Sequence, residues 1–167
     1  MADFDYIGAS YERGDGYEKA RGLAIYGVDL AKPNMLHAKI LRSPVPHALI
    51  RSINVEKAKS LKGVHAVVTG HDYPDSQWGA HLADQTIYGV DRVRYVGEAV
   101  AGVAAVDKDT AQDALDLIEV EYEDLPALFD PEEAMKPDAV LIHPDLDKYH
   151  YNKHVLVKQP GTNIANL

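Results

Sequence analysis

Eight histidines and a run of acids are the side chains in this 167-residue chain that could hold a metal or move a proton. His150 and His154 stand four apart, the spacing that would align two imidazoles on one face of a helix. The stretch around them, YHYNKHVLV, reads as loop and strand instead, and no carboxylate stands at the offset that completes a zinc triad. A solvated surface is therefore favoured over a metal site. A small acid/base hydrolase built on residues 143–154 stays open as a weak third class. His37, His65 and His81 read as strand-face or loop residues, and His71-Asp72 as the start of a turn. Glu119, Glu121 and Glu123, followed by Asp124, spread along one strand face without the spacing of a calcium loop. They read as a solvated acidic face, since sequence places no opposing acid at a glycosidase separation. Glu98 follows Gly97 at the mouth of an apolar strand. An exposed carboxylate there is ordinary, whereas a buried one needs a partner or a raised pKa; the exposed reading is favoured. Gly97 and Gly102 read as a bulge and a close backbone approach, not as a cofactor loop. No GxSxG, HExxH, GxxxxGK[ST] or strand-borne GxGxxG occurs. No catalytic, cofactor-binding or metal-binding residue is assigned.

One cluster points to recognition. Arg42, Ser43 and His47 surround Pro44 and Pro46, so the chain turns rigidly there while carrying a guanidinium. Such a turn can grip a carboxylate on a partner, or it can be a capped turn with a solvent-facing arginine; both readings stand. Trp78 lies in an aperiodic stretch, residues 70–90, and is either an interface anchor or a plug for the domain's own core. Arg42, Ser43, His47 and Trp78 are the candidate partner interface. Long irregular loops of this kind are usually functional or partner-bound.

The elements that must position these groups follow from periodicity. Residues 21–30 read as a short strand. Leu36, Ala38 and Ile40 alternate with His37 and Lys39, the period of a half-buried strand with the apolar set inward. Residues 47–54 form a second strand, and a short helix capped by Asn54 and closed by Gly63 follows. Residues 64–69 are a strand, and residues 93–106 hold one or two more, kinked near Gly97. The best helix begins at Asp107 or Asp109, where Asp109 and Gln112 fit a capping box, and repeats Ala111, Ala114, Leu115 and Ile118. Ile118, Val120 and Tyr122 then alternate with glutamates in one more strand. Residues 131–135 give a helical turn and residues 139–142 a last short strand. The order β-β-α-β, β-α-β without strict alternation argues α+β.

Composition bounds the class. Hydrophobic residues are 46% of the chain and net charge is −9, so a core can form and no basic face suggests nucleic acid. The absence of cysteine removes disulfides, thiolate zinc sites and iron–sulfur ligation. The N-terminus lacks the apolar core of a signal peptide, and the longest apolar run, residues 99–106, is far too short to span a bilayer. A soluble cytoplasmic protein is the expectation.

Three segments carry a resemblance: LHAKILRSPVPHA at 36–48, DRVRYVGEAVAGVAAVD at 91–107 and VEYEDLP at 120–126. To them are added Ala24, Tyr26 and Asp29, the stretch GVHAVVTGHDYP with Gly63, Thr69, Asp72 and Pro74, the helix with Thr110 and Ala111, and ALFDPEEAM. In order and spacing these resemble the N-terminal α/β-hammerhead domain of the molybdopterin-binding large subunit in the xanthine dehydrogenase and aldehyde oxidase (molybdenum hydroxylase) family. The closing GTNIAN is most similar to the hydroxybenzoyl-CoA reductase branch. The resemblance implies an oxidoreductase whose large subunit holds molybdopterin, with [2Fe–2S] clusters and usually FAD on partner chains or domains. It implies that the family's cofactor loops and catalytic glutamate lie beyond the hammerhead, so none maps here and the isolated chain is expected to be inactive. The fold expected is an α/β-hammerhead, a mixed sheet with two main helices. The expected organisation is an arm at 1–16, the domain at 17–145, and at 146–167 the start of a connection to a cofactor-binding domain. The chain reads as an excised piece of a longer subunit or as one part of a split subunit. Its expected role is structural and assembly-directed, with the remainder of the subunit, an iron–sulfur subunit and an FAD subunit as partners. A free-standing binding or scaffold module that kept the fold is the alternative.

Overall fold

The helical spacing of Ala111, Ala114 and Leu115 sets one helix on one sheet, and much of the fold follows from that contact. A computed structural model of the chain describes residues 6–151 and 159–164. The chain divides into two compact units, Met1–Met35 and Leu36–Leu167. The first contains helix α1 (Gly16–Ala20) and a 3₁₀ turn at Gly27–Asp29, and none of its described residues is buried. The strand expected at 21–30 is absent: Asp29 reaches back to accept the Tyr26 N–H at 3.0 Å, which curls the chain into that turn.

In the second unit a three-stranded sheet, β1–β5–β3, is built from β1 (His37–Arg42), β3 (Val64–Thr69) and β5 (Ala99–Ala105). Helix α3 (Lys108–Asp116) packs on it through Ala114 and Leu115, which join Ala101, Val103 and Val67, with Ile118 just beyond the helix. Of the two expected caps, Asp107 serves: its carboxylate accepts the Thr110 N–H at 2.7 Å. Gln112 instead donates to Asp116 (2.9 Å) and accepts from Lys39 Nζ (2.8 Å). Helix α2 (Glu56–Ser60) adds Ala58 to the same core, with Val55 at its start. Asn54 meets the Glu56 N–H at 3.2 Å, one residue ahead of the helix cap position.

The face of β1 is inverted relative to expectation. His37, Lys39 and Leu41 lie opposite Ala105, Val103 and Ala101, and opposed residues share a face, so these three turn toward α3. Leu36 and Ile40 remain 43% and 44% exposed, and Ala38 is exposed. Lys39 tolerates the inward face because its stem is apolar and its amine escapes to Gln112. On the sheet's other face, Ala38, Ala104 and Ala66 form one cross-strand row, and Ile40, Gly102 and Val68 the next.

A second three-stranded sheet, β4–β2–β6, is made by β2 (Ala48–Asn54), β4 (Arg92–Val93) and β6 (Glu119–Asp124). Ala48, Ile50 and Val93 pack with Val100, the one β5 residue that joins this cluster. Strand β6 alternates as expected, with Val120 and Tyr122 half-buried and its glutamates outward, where Arg51 and Lys57 pair with Glu123 and Glu119. The α+β hammerhead class and its two principal helices hold, but the expected mixed sheet is corrected to two antiparallel ones. The reason is topological. Helix α2 carries the chain from the second sheet to the first, and α3 carries it back; a helical crossover makes neighbours parallel only within one sheet. Helix α4 (Pro131–Ala134) is the expected turn, capped by Asp130. Residues 139–142 form no ladder; the Ile142 N–H donates to Asn163 Oδ1 at 2.9 Å instead. Among the described residues no helix is long and apolar enough to cross a membrane.

Candidate functional site

The proline-bracketed turn after β1 is closed from within. Ser43 Oγ donates to Val45 O at 2.7 Å and accepts the Val45 N–H at 3.2 Å. Ser43 and His47 are 2% and 1% exposed. His47 Nδ1 lies 2.8 Å from Pro126 O, and a carbonyl only accepts, so Nδ1 carries the proton there. Nε2 is buried without a hydrogen-bond partner among the described residues. Both side chains are buried within this chain and shape the turn. Arg42 stays exposed, and its Nη1 donates to Gly97 O at 2.8 Å.

That last bond belongs to a clasp between two turns. The Ser43 N–H donates to Glu98 O and the Gly97 N–H to Ser43 O, each at 2.8 Å. Gly97 has φ +94°, a conformation glycine adopts freely and other residues rarely. The Glu98 carboxylate accepts the Arg94 N–H and lies 3.5 Å from the Arg94 guanidinium, with side chains 13% and 16% exposed. The exposed reading of Glu98 is thereby corrected. Burial pushes its carboxyl above the usual range, and the Arg94 contacts offset this only in part. Arg94 Nε is buried and unpartnered among the described residues. At the tip of the clasped turn Tyr95 and Val96 are 60% and 63% exposed.

The 70–90 loop completes the wall. Its root is fixed where Asp72 accepts the Thr69 N–H (2.7 Å) and hydroxyl (3.0 Å), which holds the Asp72 carboxyl below the ordinary range. Backbone bonds between Trp78 and Gln85 of 2.9 and 3.2 Å pinch the loop into a narrow arch. Trp78 is 59% exposed, so it is not a core plug. Tyr88 lies over Gly102, its hydroxyl 2.1 Å from where a Cβ would stand. Arg42, Trp78, Ile87, Tyr95, Glu98 and His143 all border one cavity of about 360 Å³. The structure thus brings Arg42 and Trp78 together and sets Ser43 and His47 behind them. Sequence reasoning missed Tyr95 and Ile87; the signal lay in RYVGE, where a glycine turn follows a tyrosine and valine with nothing to bury them.

Two other cavities adjoin. One of about 410 Å³ is bordered by Leu128, Phe129, Ile142, Leu146 and Ile164, with His143 in the shared wall. Burial pushes the His143 imidazole below its ordinary pKa, and its ring meets Tyr149 edge-on. The other, about 240 Å³, sets Asp84, Asp91 and Asp145 beside Arg94 and Lys148. Three carboxylates there do not fit a phosphate-bearing pterin, and no described residues group as metal ligands. The chain lacks cysteine and so has no thiolate for an iron–sulfur cluster. His150 is exposed; His154, Ala165 and Asn166 lie outside the described residues.

Comparison with known proteins gives a consistent picture. Residues 21–126 match the family model described as aldehyde oxidase and xanthine dehydrogenase, a/b hammerhead domain. A probable xanthine dehydrogenase component from Bacillus subtilis is 45% identical over 139 residues, covering 83% of this chain and 19% of that protein. The nicotinate dehydrogenase large molybdopterin subunit of Eubacterium barkeri is 38% identical over 154 residues, covering 92% of this chain and 36% of that one. Among solved structures, a Cu,Mo-CO dehydrogenase aligns with TM-score 0.74 at 38% identity, over 83% of this chain and 18% of that chain. Quinoline 2-oxidoreductase from Pseudomonas putida 86 aligns with TM-score 0.71 at 37% identity, over 79% and 17%. The chain therefore spans between 19% and 36% of these two curated relatives.

Proposed function

The chain belongs to the aldehyde oxidase and xanthine dehydrogenase family as its a/b hammerhead domain, and from that premise we propose that it is a structural and assembly domain of a molybdopterin-dependent oxidoreductase large subunit. On this reading residues 17–145 frame the subunit, and residues 146–167 lead toward a cofactor-binding domain. The cofactor and the reacting groups belong to that remainder, and an iron–sulfur subunit and an FAD subunit are its partners. The enzyme works in the cytoplasm.

The observation that carries the reading is the outer face of β1–β5–β3. Ala38, Ala104 and Ala66 in one row and Ile40 in the next are apolar, and Ala38, Ile40 and Ala66 are exposed. A strand face this apolar needs covering in the working protein. The relatives supply a source, since most of their length lies outside the part this chain matches.

The test is Ile40→Asp. In the 167-residue chain the side chain is already 44% exposed, so only part of its burial and some strand propensity are lost, and the unfolding midpoint of the expressed chain should fall by only a few degrees. In the full-length subunit the same change buries a charge, and the yield of assembled enzyme should fall several-fold. Undiminished assembly would remove the support for a covered face. A free-standing module would instead show the same behaviour in both contexts.

A further inference from the structure

We propose that the cavity framed by Arg42, Trp78, Ile87 and Tyr95 is a docking pocket for a segment of another subunit, one that presents an apolar side chain beside a carboxylate. The proposal rests on the assembly reading above and names the chemistry of one contact within it.

The walls of the cavity are rigid. Exposed apolar tips on mobile loops cost entropy when they dock. Here the Tyr95–Val96 tip is held by three bonds of 2.8 Å between the two turns, from Arg42, Ser43 and Gly97. The part-buried Glu98–Arg94 contact braces the same turn. The opposite lip, with Trp78, is held by the Trp78–Gln85 backbone bonds. Both lips are therefore set before any partner arrives.

The lining has the composition of an interface. Tryptophan, tyrosine and arginine are the residues that most often dominate binding energy at interfaces, and here Trp78, Tyr95, Arg42 and Arg94 border a single cavity. At about 360 Å³ the cavity lies at the small end of the range for ligand pockets, about 300–1,000 Å³. That size suits one or two inserted side chains.

Charge selects the partner group. Glu98 is occupied by Arg94. Arg42 forms no ion pair among the described residues; its Nη1 bond goes to a backbone carbonyl. The rest of its guanidinium fork matches a carboxylate. Arg94 and Glu98 border the same cavity and offset each other, which leaves Asp84 to repel a partner carboxylate and Arg42 to attract it.

The polar lining separates this pocket from the alanine face of β1–β5–β3. Gln85, Thr86, Asp84 and Arg42 border it, which fits a surface that must stay wet until a separate chain binds. The alanine face fits permanent cover by the same polypeptide.

The experiment uses the full-length subunit assembled with its natural partner subunits. Trp78→Ala, Arg42→Ala and Arg42→Lys are compared with Arg51→Ala, an arginine already paired with Glu123 on the other sheet. Dissociation of the assembled complex is read by native mass spectrometry over a dilution series, and amide hydrogen exchange is read over residues 76–99. Trp78→Ala and Arg42→Ala should each raise the dissociation constant about tenfold or more, as interface anchors do. Arg42→Lys should raise it less and Arg51→Ala not at all, and exchange over 76–99 should slow on assembly. Unchanged dissociation for Trp78→Ala, with its thermal midpoint intact, overturns the proposal. So does full protection of 76–99 in the free full-length subunit, which would assign the pocket to the same polypeptide or to a small molecule. Protection of other parts of 36–126 on assembly, without 76–99, sinks this pocket and leaves the assembly reading standing. No protection anywhere in 36–126, whether from partner subunits or from the rest of the polypeptide, sinks both.

Discussion

Replacing Gly70 by alanine should destabilise the chain by contact alone. Gly70 is buried in the 3₁₀ turn after β3, and its added Cβ would stand 2.3 Å from Gly89 O, 2.7 Å from Gly89 C and 2.9 Å from Val90 Cα. These are backbone atoms, so no side-chain rotation relieves them. To reach ordinary contact the Gly89 carbonyl must retreat by about 1 Å. It is not free to do so: the Gly89 N–H donates to Ala99 O at 2.7 Å, and the Ile50 N–H donates to Asp91 O at 2.9 Å, which ties this segment to both sheets. Overpacking of this kind costs about 1–3 kcal/mol. In a chain of this size each kcal/mol lowers the thermal midpoint by roughly 2–4 °C. Urea unfolding followed by circular dichroism measures the loss, and Trp78, the single tryptophan, reports the loop. Gly97→Ala is the informative comparison, because its Cβ meets nothing within 4 Å and its φ is +94°. That variant should cost about 1–2 kcal/mol from backbone strain alone, and Gly97→Asn less, because asparagine tolerates that region. If Gly70→Ala stays within about 0.5 kcal/mol of the parent, a range typical of neutral surface changes, the packing argument for the loop root is refuted.

Three further outcomes are expected. His47→Ala should cost about 2–5 kcal/mol in a denaturant titration, through a cavity and an orphaned Pro126 carbonyl. Asn163 Oδ1 accepts the Ile142 N–H, and its amide donates to Ala134 O (3.1 Å) and Val140 O (2.9 Å). Asn163→Ala should therefore speed limited proteolysis within residues 130–142, and equal cleavage rates would show that this side chain holds nothing. The pH profile should separate two kinds of carboxylate. Asp72 and Asp107 accept backbone N–H bonds and sit below the ordinary range, so their stabilisation is present above that range and is lost as pH falls through their lowered values. Asp107→Asn, which still accepts the Thr110 N–H, should shrink that acid loss. Glu98 runs the opposite way: raised by burial, its protonation favours the fold as pH falls between the ordinary and the raised value. Glu98→Gln should thus steepen the acid loss of stability, and a parallel profile would show that Glu98 is not buried as described.

Much of this fold is written in local pattern. Ala111, Ala114 and Leu115 mark α3 because their helical spacing leaves one stripe to bury, and β6 is marked by glutamates alternating with Val120 and Tyr122. Period alone does not say which side of a strand faces inward. The alternation in β1 is real, yet pairing with β5 turns His37, Lys39 and Leu41 toward α3. Nor does local pattern tell whether a helix crosses within a sheet or between two, which is why two antiparallel sheets stand where a mixed one is expected. At the candidate site, the turn chemistry of Arg42–His47 and the loop setting of Trp78 are visible in sequence, because proline and aperiodicity are local signals. Their meeting at one cavity is not, since 36 positions separate them and two of the three bonds that clasp the two turns are main-chain bonds, which leave no mark in residue type. Glu98 is misread from sequence for the same reason: its burial depends on Arg94 folding back within a five-residue turn.

On the proposed function, this chain frames an enzyme whose chemistry lies elsewhere in a longer subunit. The most direct measurement is the denatured mass of the polypeptide that carries this sequence in its source cell, together with the molybdenum content of the complex it purifies in. The expected result is a mass several times 18.4 kDa and molybdenum that co-purifies with it. A polypeptide near 18.4 kDa that purifies alone and free of molybdenum would contradict it.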